Sequence, residues 1–371
     1  MSDTKREETE MTTRNRLTRR RFMTTTAGAA TVAGLGGLIR PAMAQEGAQL
    51  TPVGEMVTAT AKEGPYRIAF SNGFSGNSWR AMAVAALEAE AAATPEIAEF
   101  VTVDGQGDIN KQVNDIETLI NQQFDAILVI ANSGSAVAPI LREATREGIV
   151  TAPFNLPVDG TDWSTYVGTD PSKKGGSLGA WLSDALGGTG KIVALGGLPG
   201  NSYTAAGWEG AQAAFADGIE VLAFRDAYWE EDRAKVIMAD LIAAYPEIDG
   251  IWCDGAQVGA GAIKALLDAG RPLVPVTGDD YNGMLKLFDA ERANHPGFDI
   301  GLMSEPTWQG IFAMRAAVSL LKGEEVPKQQ ILEPQLITAD NYRDYIRPDL
   351  PDGVFTDTSL TDAQLREIFG A

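Results

Sequence analysis

The sequence predicts an α/β protein in which parallel sheets are covered by helices on both faces, arranged as two successive units. Three observations carry this. The chain has 371 residues, 44% of them hydrophobic and 22% charged, enough for roughly two domains at about 100–200 residues each, with cores that need no covalent staples. Short Val- and Ile-rich runs recur along it, bounded by Gly and Pro, as strands buried on both faces should be. Between them lie amphipathic stretches, and repeated strand–helix alternation is the pattern of parallel sheets flanked by helices.

Taken in order, residues 1–44 form a targeting segment. Arg14, Arg16, Arg19, Arg20 and Arg21 make a basic region, residues 27–39 a small-residue apolar run, and Ala42-Met43-Ala44 an A-x-A cleavage site. The apolar run is shorter than the roughly 20 residues a bilayer-spanning helix needs. Thr18-Arg19-Arg20-Arg21-Phe22-Met23 resembles the twin-arginine motif, which implies export of a folded protein. Residues 45–64 are polar and aperiodic and read as a leader, so ordered structure is expected to begin near Pro65.

Strand-like runs then fall at residues 66–70, 126–130, 149–151, 191–195, 219–223, 250–252 and 273–276. Ile109, Val113, Ile116 and Ile120 are spaced as the apolar stripe of a helix. The change from first to second unit is expected near residues 155–170, where Pro153, Pro157 and Gly160 interrupt the periodicity. In open parallel sheets, ligands bind outside the carboxyl ends of the strands. The loops there hold Asn77, Trp79 and Arg80; Asn132; Asn155; Tyr203; Trp229; Asp254 and Gln257; and Asp279-Asp280. Amides and carboxylates that trade hydrogen bonds with hydroxyls, with indole rings to cover C–H-rich faces, make the inventory of a sugar or polyol site.

Composition excludes other chemistries. Thirty Lys and Arg against fifty Asp and Glu give a net charge of −20, which opposes nucleic acid and anionic lipid and favours a soluble monomer. One cysteine, Cys253, and one histidine, His295, leave no thiolate cluster, His-rich metal site or histidine relay, and no cofactor is expected. Gly187-Gly188-Thr189-Gly190-Lys191 lacks the spacing and following Ser or Thr of a phosphate loop and reads as a turn into a strand. Gly259 and Gly261 read as allowing close helix packing or binding-loop approach, and Cys253 as a small buried hydrophobe. Of the acidic pairs Glu230-Glu231 and Asp279-Asp280, each is expected to give one site residue and one solvated residue, since neighbours on a strand face opposite sides.

The chain resembles the periplasmic solute-binding proteins of the ribose and galactofuranose type that feed ABC importers, from about Pro65 to Asp340. The resemblance is carried by Asp104-Gly105-Gln106-Gly107-Asp108 with Lys111-Gln112 and Asp115-Ile116, by residues 123–129, Gly168-Thr169-Asp170, residues 187–191, Asp232-Arg233-Ala234-Lys235, and Gly261-Ala262-Ile263 before Ala269-Gly270. It implies a type I periplasmic binding protein fold: two Rossmann-like domains joined by a three-stranded hinge, crossing near Asn155, near Ser304-Glu305 and after Gly323. The lobes would comprise residues 65–155 with 305–330, and 156–304 with 331–371. Residue by residue, Asn77 falls on the family's binding asparagine, Trp79 on a stacking aromatic, Asp280 on its hydroxyl-binding aspartate, and Trp229 near the second stacking aromatic. Asn155-Leu156 replaces an Asp-Arg pair, Ala205 an arginine and Ser304 a glutamine, while Asp254 or Gln257 stands in for an asparagine. These departures point away from ribose itself, and Arg80 beside Trp79 resembles the galactofuranose-type subset.

The implied function is non-enzymatic. An exported, periplasmic protein captures a monosaccharide or polyol between its lobes and delivers it to an ABC permease and its ATPase. The alternatives are a secreted carbohydrate-active enzyme working through two carboxylates, and a sensory sugar-binding protein that serves a receptor. Residues 341–371 either wrap the first domain or stay loose.

Overall fold

The computed structural model describes residues 50–371; the export segment at 1–44 lies outside the described residues. Two parallel sheets organise the chain. The first contains β2 (Tyr66–Asn72), β3 (Ile97–Asp104), β4 (Ala126–Ile130) and β5 (Val150–Pro153) in the order β3-β2-β4-β5. The second contains β7 (Thr189–Gly196), β8 (Gly218–Asp226), β9 (Gly250–Cys253), β10 (Val276–Gly278) and β11 (Ile300–Met303) in the order β11-β10-β9-β7-β8, with β13 (Leu336–Thr338) antiparallel at the β11 edge.

Strand β4 shows why the apolar runs are continuous. Ala126, Leu128 and Ile130 join one apolar cluster while Ile127 and Val129 join another on the opposite face, so each residue is buried whichever way it points. Helix α2 (Ile109–Asn121) covers the second face with Ile116, Leu119 and Ile120, and Asp108 caps it by accepting from the Asn110 and Lys111 amides. Ile109, expected on that buried stripe, is instead exposed, because it opens the first turn just past the cap.

Close glycine contacts set the packing of the second unit. Helices α4 (Pro171–Ala185) and α5 (Ser202–Ala214) approach so tightly that a Cβ on Gly175 would lie 1.9 Å from the Gly207 carbonyl oxygen. Between α6 (Glu231–Ala244) and α7 (Ala256–Asp268), a Cβ on Gly261 would meet the Glu231 carbonyl oxygen at 2.2 Å. Gly187 and Gly188, at φ of 65° and 82°, make the turn into β7.

The chain passes between the sheets three times: after β5 into β6 (Tyr166–Thr169), after β11 through residues 304–308 into α9 (Gln309–Leu321), and from β12 (Val326–Leu332) to β13. Strand β12 pairs with β6 in parallel and with β1 (Leu50–Val57) antiparallel, giving a third sheet ordered β1-β12-β6. The expectation of a leader as far as residue 64 is therefore corrected. Residues 50–57 form a strand whose partner lies far away in sequence, and its mostly exposed side chains leave no apolar periodicity to reveal it. The C-terminal stretch is not loose. Tyr342 packs edge-on against Phe288, Asn282 holds the carbonyls of Arg347, Leu350 and Pro351, and α10 (Asp362–Phe369) lies beside α1 (Ser78–Ala93).

Among the described residues, no helix is long and apolar enough to cross a membrane.

Candidate functional site

In both sheets the strand order reverses beside the first strand of the unit, between β2 and β4 and between β7 and β9. Such a reversal splays the loops at the carboxyl ends apart and leaves a crevice. The two crevices meet. Asn77, Trp79, Arg80, Asn155, Leu156, Tyr203, Trp229, Asp254, Gln257, Asp279, Glu305 and Phe355 line one cleft. Across it, Asn201 Nδ2 donates to the Asn132 carbonyl oxygen (3.3 Å), so the lobes touch.

From the first lobe, the loop after β2 delivers the start of α1. Asn77 caps that helix, its Oδ1 accepting from the Arg80 amide (3.0 Å), which leaves its amide nitrogen for the cleft. Trp79 is 5% exposed and its indole donates to the Glu305 carbonyl oxygen (2.8 Å). Arg80 is 4% exposed, yet among the described residues its guanidinium makes one hydrogen bond, Nη1 to Asn72 Oδ1 (2.7 Å). Burial lowers its pKa to about 9 despite the pull of Asp104. A buried cation with one neutral partner keeps unused donors facing the cleft.

From the second lobe, Trp229 sits at φ 54°, after Tyr228 at φ 62°, in the left-handed region that only a well-packed side chain sustains. Its ring lies on Gly197, where a Cβ would come within 2.2 Å of the indole. Asp254 accepts from the Trp229 indole (3.1 Å) and from Thr204 Oγ1 (2.6 Å). Burial nonetheless raises its pKa to about 6. Asp279 accepts from the Ala256 amide (2.8 Å), and burial, with Asp280 adding repulsion, raises it to about 8 against the pull of Lys174. Gln257 Oε1 is buried without a hydrogen-bond partner.

Glu305, in the second crossing, ties the lobes together. Its Oε1 accepts from Asn155 Nδ2 (2.8 Å) and Gln309 Nε2 (2.7 Å), and its Oε2 from Lys174 Nζ (2.5 Å) and Tyr203 OH (2.8 Å). Burial alone would lower Lys174, but Glu305 and Tyr203 hold its ammonium well above the ordinary lysine range. Asn155, at φ 62°, turns the chain into this network, and its carbonyl oxygen accepts from Tyr166 OH (2.9 Å).

Eight sequence-predicted positions meet here: Asn77, Trp79, Arg80, Asn155, Tyr203, Trp229, Asp254 and Gln257. Three others do not line the cleft. Asn132 turns its amide back to the Gly73 carbonyl oxygen (2.6 Å), and Ser304 Oγ donates to Asp357 (2.6 Å). Asp280, expected to bind hydroxyls, accepts from the backbone amides of Glu305 (2.8 Å) and Asp357 (2.6 Å) and from Thr356 Oγ1 (3.2 Å), so it secures the hinge. Its neighbour Asp279 lines the cleft instead. The expected solvated partner of that pair is also corrected, since both carboxylates are buried. The strand β10 stops at Gly278, so strand alternation no longer governs which aspartate points inward. Glu305 was expected at the second crossing, where it lies, but not as a residue of the cleft; Phe355 was not singled out from sequence and stands in no pattern that separates it from its neighbours. Lys174, next to an equally charged Lys173, gave no signal either.

A family model described as a periplasmic binding protein domain matches residues 68–325. The xylitol-binding protein of Mycolicibacterium smegmatis is 31% identical over 247 residues, 66% of this chain and 69% of that one. The ribose import binding protein of Bacillus subtilis is 25% identical over 230 residues, covering 62% and 74%. In fold, the chain is similar to an ABC transporter solute-binding protein from Bacillus halodurans C-125 with bound myo-inositol, at a TM-score of 0.70 and 24% identity over 77% of this chain and 99% of that one. With two parallel sheets, three crossings and a cleft at their facing switch points, the chain belongs to the periplasmic binding protein family.

Proposed function

We propose that the protein is an exported solute-binding component that captures a neutral sugar or polyol in this cleft and presents it to an ABC importer. One observation carries the reading. Unused hydrogen-bonding capacity, on the Arg80 guanidinium, the Asn77 amide and Gln257, converges with two indoles and the Asp254 carboxylate on a single cleft. Hydroxyls both donate and accept, so they can satisfy the cation, the carboxylates and the amides together, while the indoles cover C–H faces. Relatives named for xylitol and ribose binding support the class.

The cleft supports binding rather than hydrolysis. Glycoside hydrolysis needs two carboxyl groups flanking the scissile bond. Asp254 and Asp279 instead follow neighbouring strands of one lobe, and Glu305 is engaged by four side chains. Ligand held by both lobes favours the closed form by its differential affinity, and closure forms the surface a permease reads.

The test is a thermal-shift screen of the cleaved chain against pentoses, hexoses, furanose sugars, alditols and cyclitols, followed by calorimetry. A ligand that binds only the folded state raises the melting temperature. A large shift with one or a few related polyols is expected, and no shift across the panel after unfolding and refolding would reject the reading.

A further inference from the structure

The family match ends at residue 325, yet one wall of the cleft comes from residue 355. Beyond β13 the chain runs back over the start of α8 (Asn282–Glu291), where the Asn282 amide donates to the Val354 carbonyl oxygen (2.8 Å). Tyr281 and Phe355 form an antiparallel bridge, and their rings meet edge to face at 5.7 Å. Next, the Asp280 carboxylate takes the Asp357 amide, and Asp357 accepts from Ser304 Oγ and from the Trp308 indole (2.7 Å). Residues 354–357 are thus fastened on both sides, to the second lobe and to the second crossing. Phe355 itself is 1% exposed, and its amide points to Met82 Sδ (3.4 Å) on α1 of the first lobe. It stands where both lobes and the crossing converge.

We infer that Phe355 is a specificity-determining residue: the tail inserts its ring as an apolar wall that limits the size of ligand the cleft accepts. The inference rests on the polyol-binding reading above. An aromatic wall covers a C–H face of the ligand and removes volume, so the cost of enlarging it differs from ligand to ligand. A merely structural phenylalanine would weaken all ligands alike.

The experiment measures dissociation constants of the full cleaved chain and of its F355L and F355A variants for ribose, xylitol, galactose and myo-inositol. The inference expects the ligand preferred by the unmodified protein to bind at least tenfold more weakly to F355A. It also expects the ratio between six-carbon and five-carbon ligands to move by fivefold or more toward the larger, with F355L between. F355L retains most of the buried volume and serves if F355A fails to fold. Unchanged affinities, or a uniform loss with ratios preserved, would overturn the inference and leave the polyol reading standing. If the unmodified protein binds none of the wider polyol panel, the reading itself falls and the wall with it.

Discussion

At the scale of single residues, two kinds of buried polar group must be told apart. Arg80 and Gln257 keep hydrogen-bonding capacity that nothing in the described chain uses, whereas Glu305 and Asp280 have theirs consumed. The first kind leaves hydrogen-bonding capacity open at the cleft; the second holds the frame. Trp79→Ala should raise the dissociation constant of the polyol at least tenfold by calorimetry, because it removes a ring from the cleft wall. Asp280→Ala should act differently. It strands a buried amide at Glu305 and a partly buried one at Asp357, and should cost about 3 kcal/mol in denaturant unfolding, as loss of charge-assisted hydrogen bonds does. An Asp280→Ala variant of unchanged stability would show that the carboxylate is not a hinge anchor.

At the scale of elements, the helix pair α4 and α5 links packing to the site. A Cβ at Gly175 has no room against the Gly207 carbonyl, and one at Gly210 would lie 2.1 Å from the Ser172 carbonyl oxygen. Backbone gives way less readily than a side chain, so Gly175→Ala should destabilise by about 3 kcal/mol, the upper end of ordinary overpacking. Because Lys174 precedes Gly175, separating the helices also draws the ammonium from Glu305. Weaker polyol binding is therefore expected along with the lower melting temperature, and a variant with native values of both would contradict the contact. The tail is the second such element. Its anchors are long-range contacts to α8 and to residues 304–308, so it belongs to the folded body.

At the scale of the whole molecule, the buried carboxylates lead us to expect a pH dependence opposite to ordinary acid denaturation. Burial raises Asp254 and Asp357 to about 6 and Asp279 to about 8, from 3.8 when unfolded. Between the unfolded and folded values the native state binds more protons, so stability falls as pH rises through that window. Above it, all three carboxylates are charged in both states and the cost of burying them is borne in full. The melting temperature of ligand-free protein should therefore climb as pH is lowered from about 8.5 to about 5.5. A flat or falling profile, measured by calorimetry at fixed ionic strength, would mean these carboxylates are hydrated. Lys174 does not reverse the trend, because the raised lysine keeps its proton throughout this range.

Local pattern alone determined much of this. The runs at 126–130 and 250–252 became β4 and β9, and the loops after strands held nine of the residues that line the cleft, Asp279 among them. Strand burial and the placement of ligand loops follow from periodicity and strand direction, which are written into adjacent residues. Other features had no local trace. Strand β1 exists only because β12 offers it an edge, and Phe355 reaches the cleft only because Asp280, Asn282 and residues 304–308 hold the tail there. Lys174 became a site-supporting residue through Glu305, 131 positions away. Asp279 and Asp280 are chemically identical neighbours, and which one lines the cleft was decided by the end of β10 and by the amides that captured Asp280. Composition and spacing specify what a segment can bury, while the partner it meets is set by contacts between segments distant in sequence, and only the folded chain makes those.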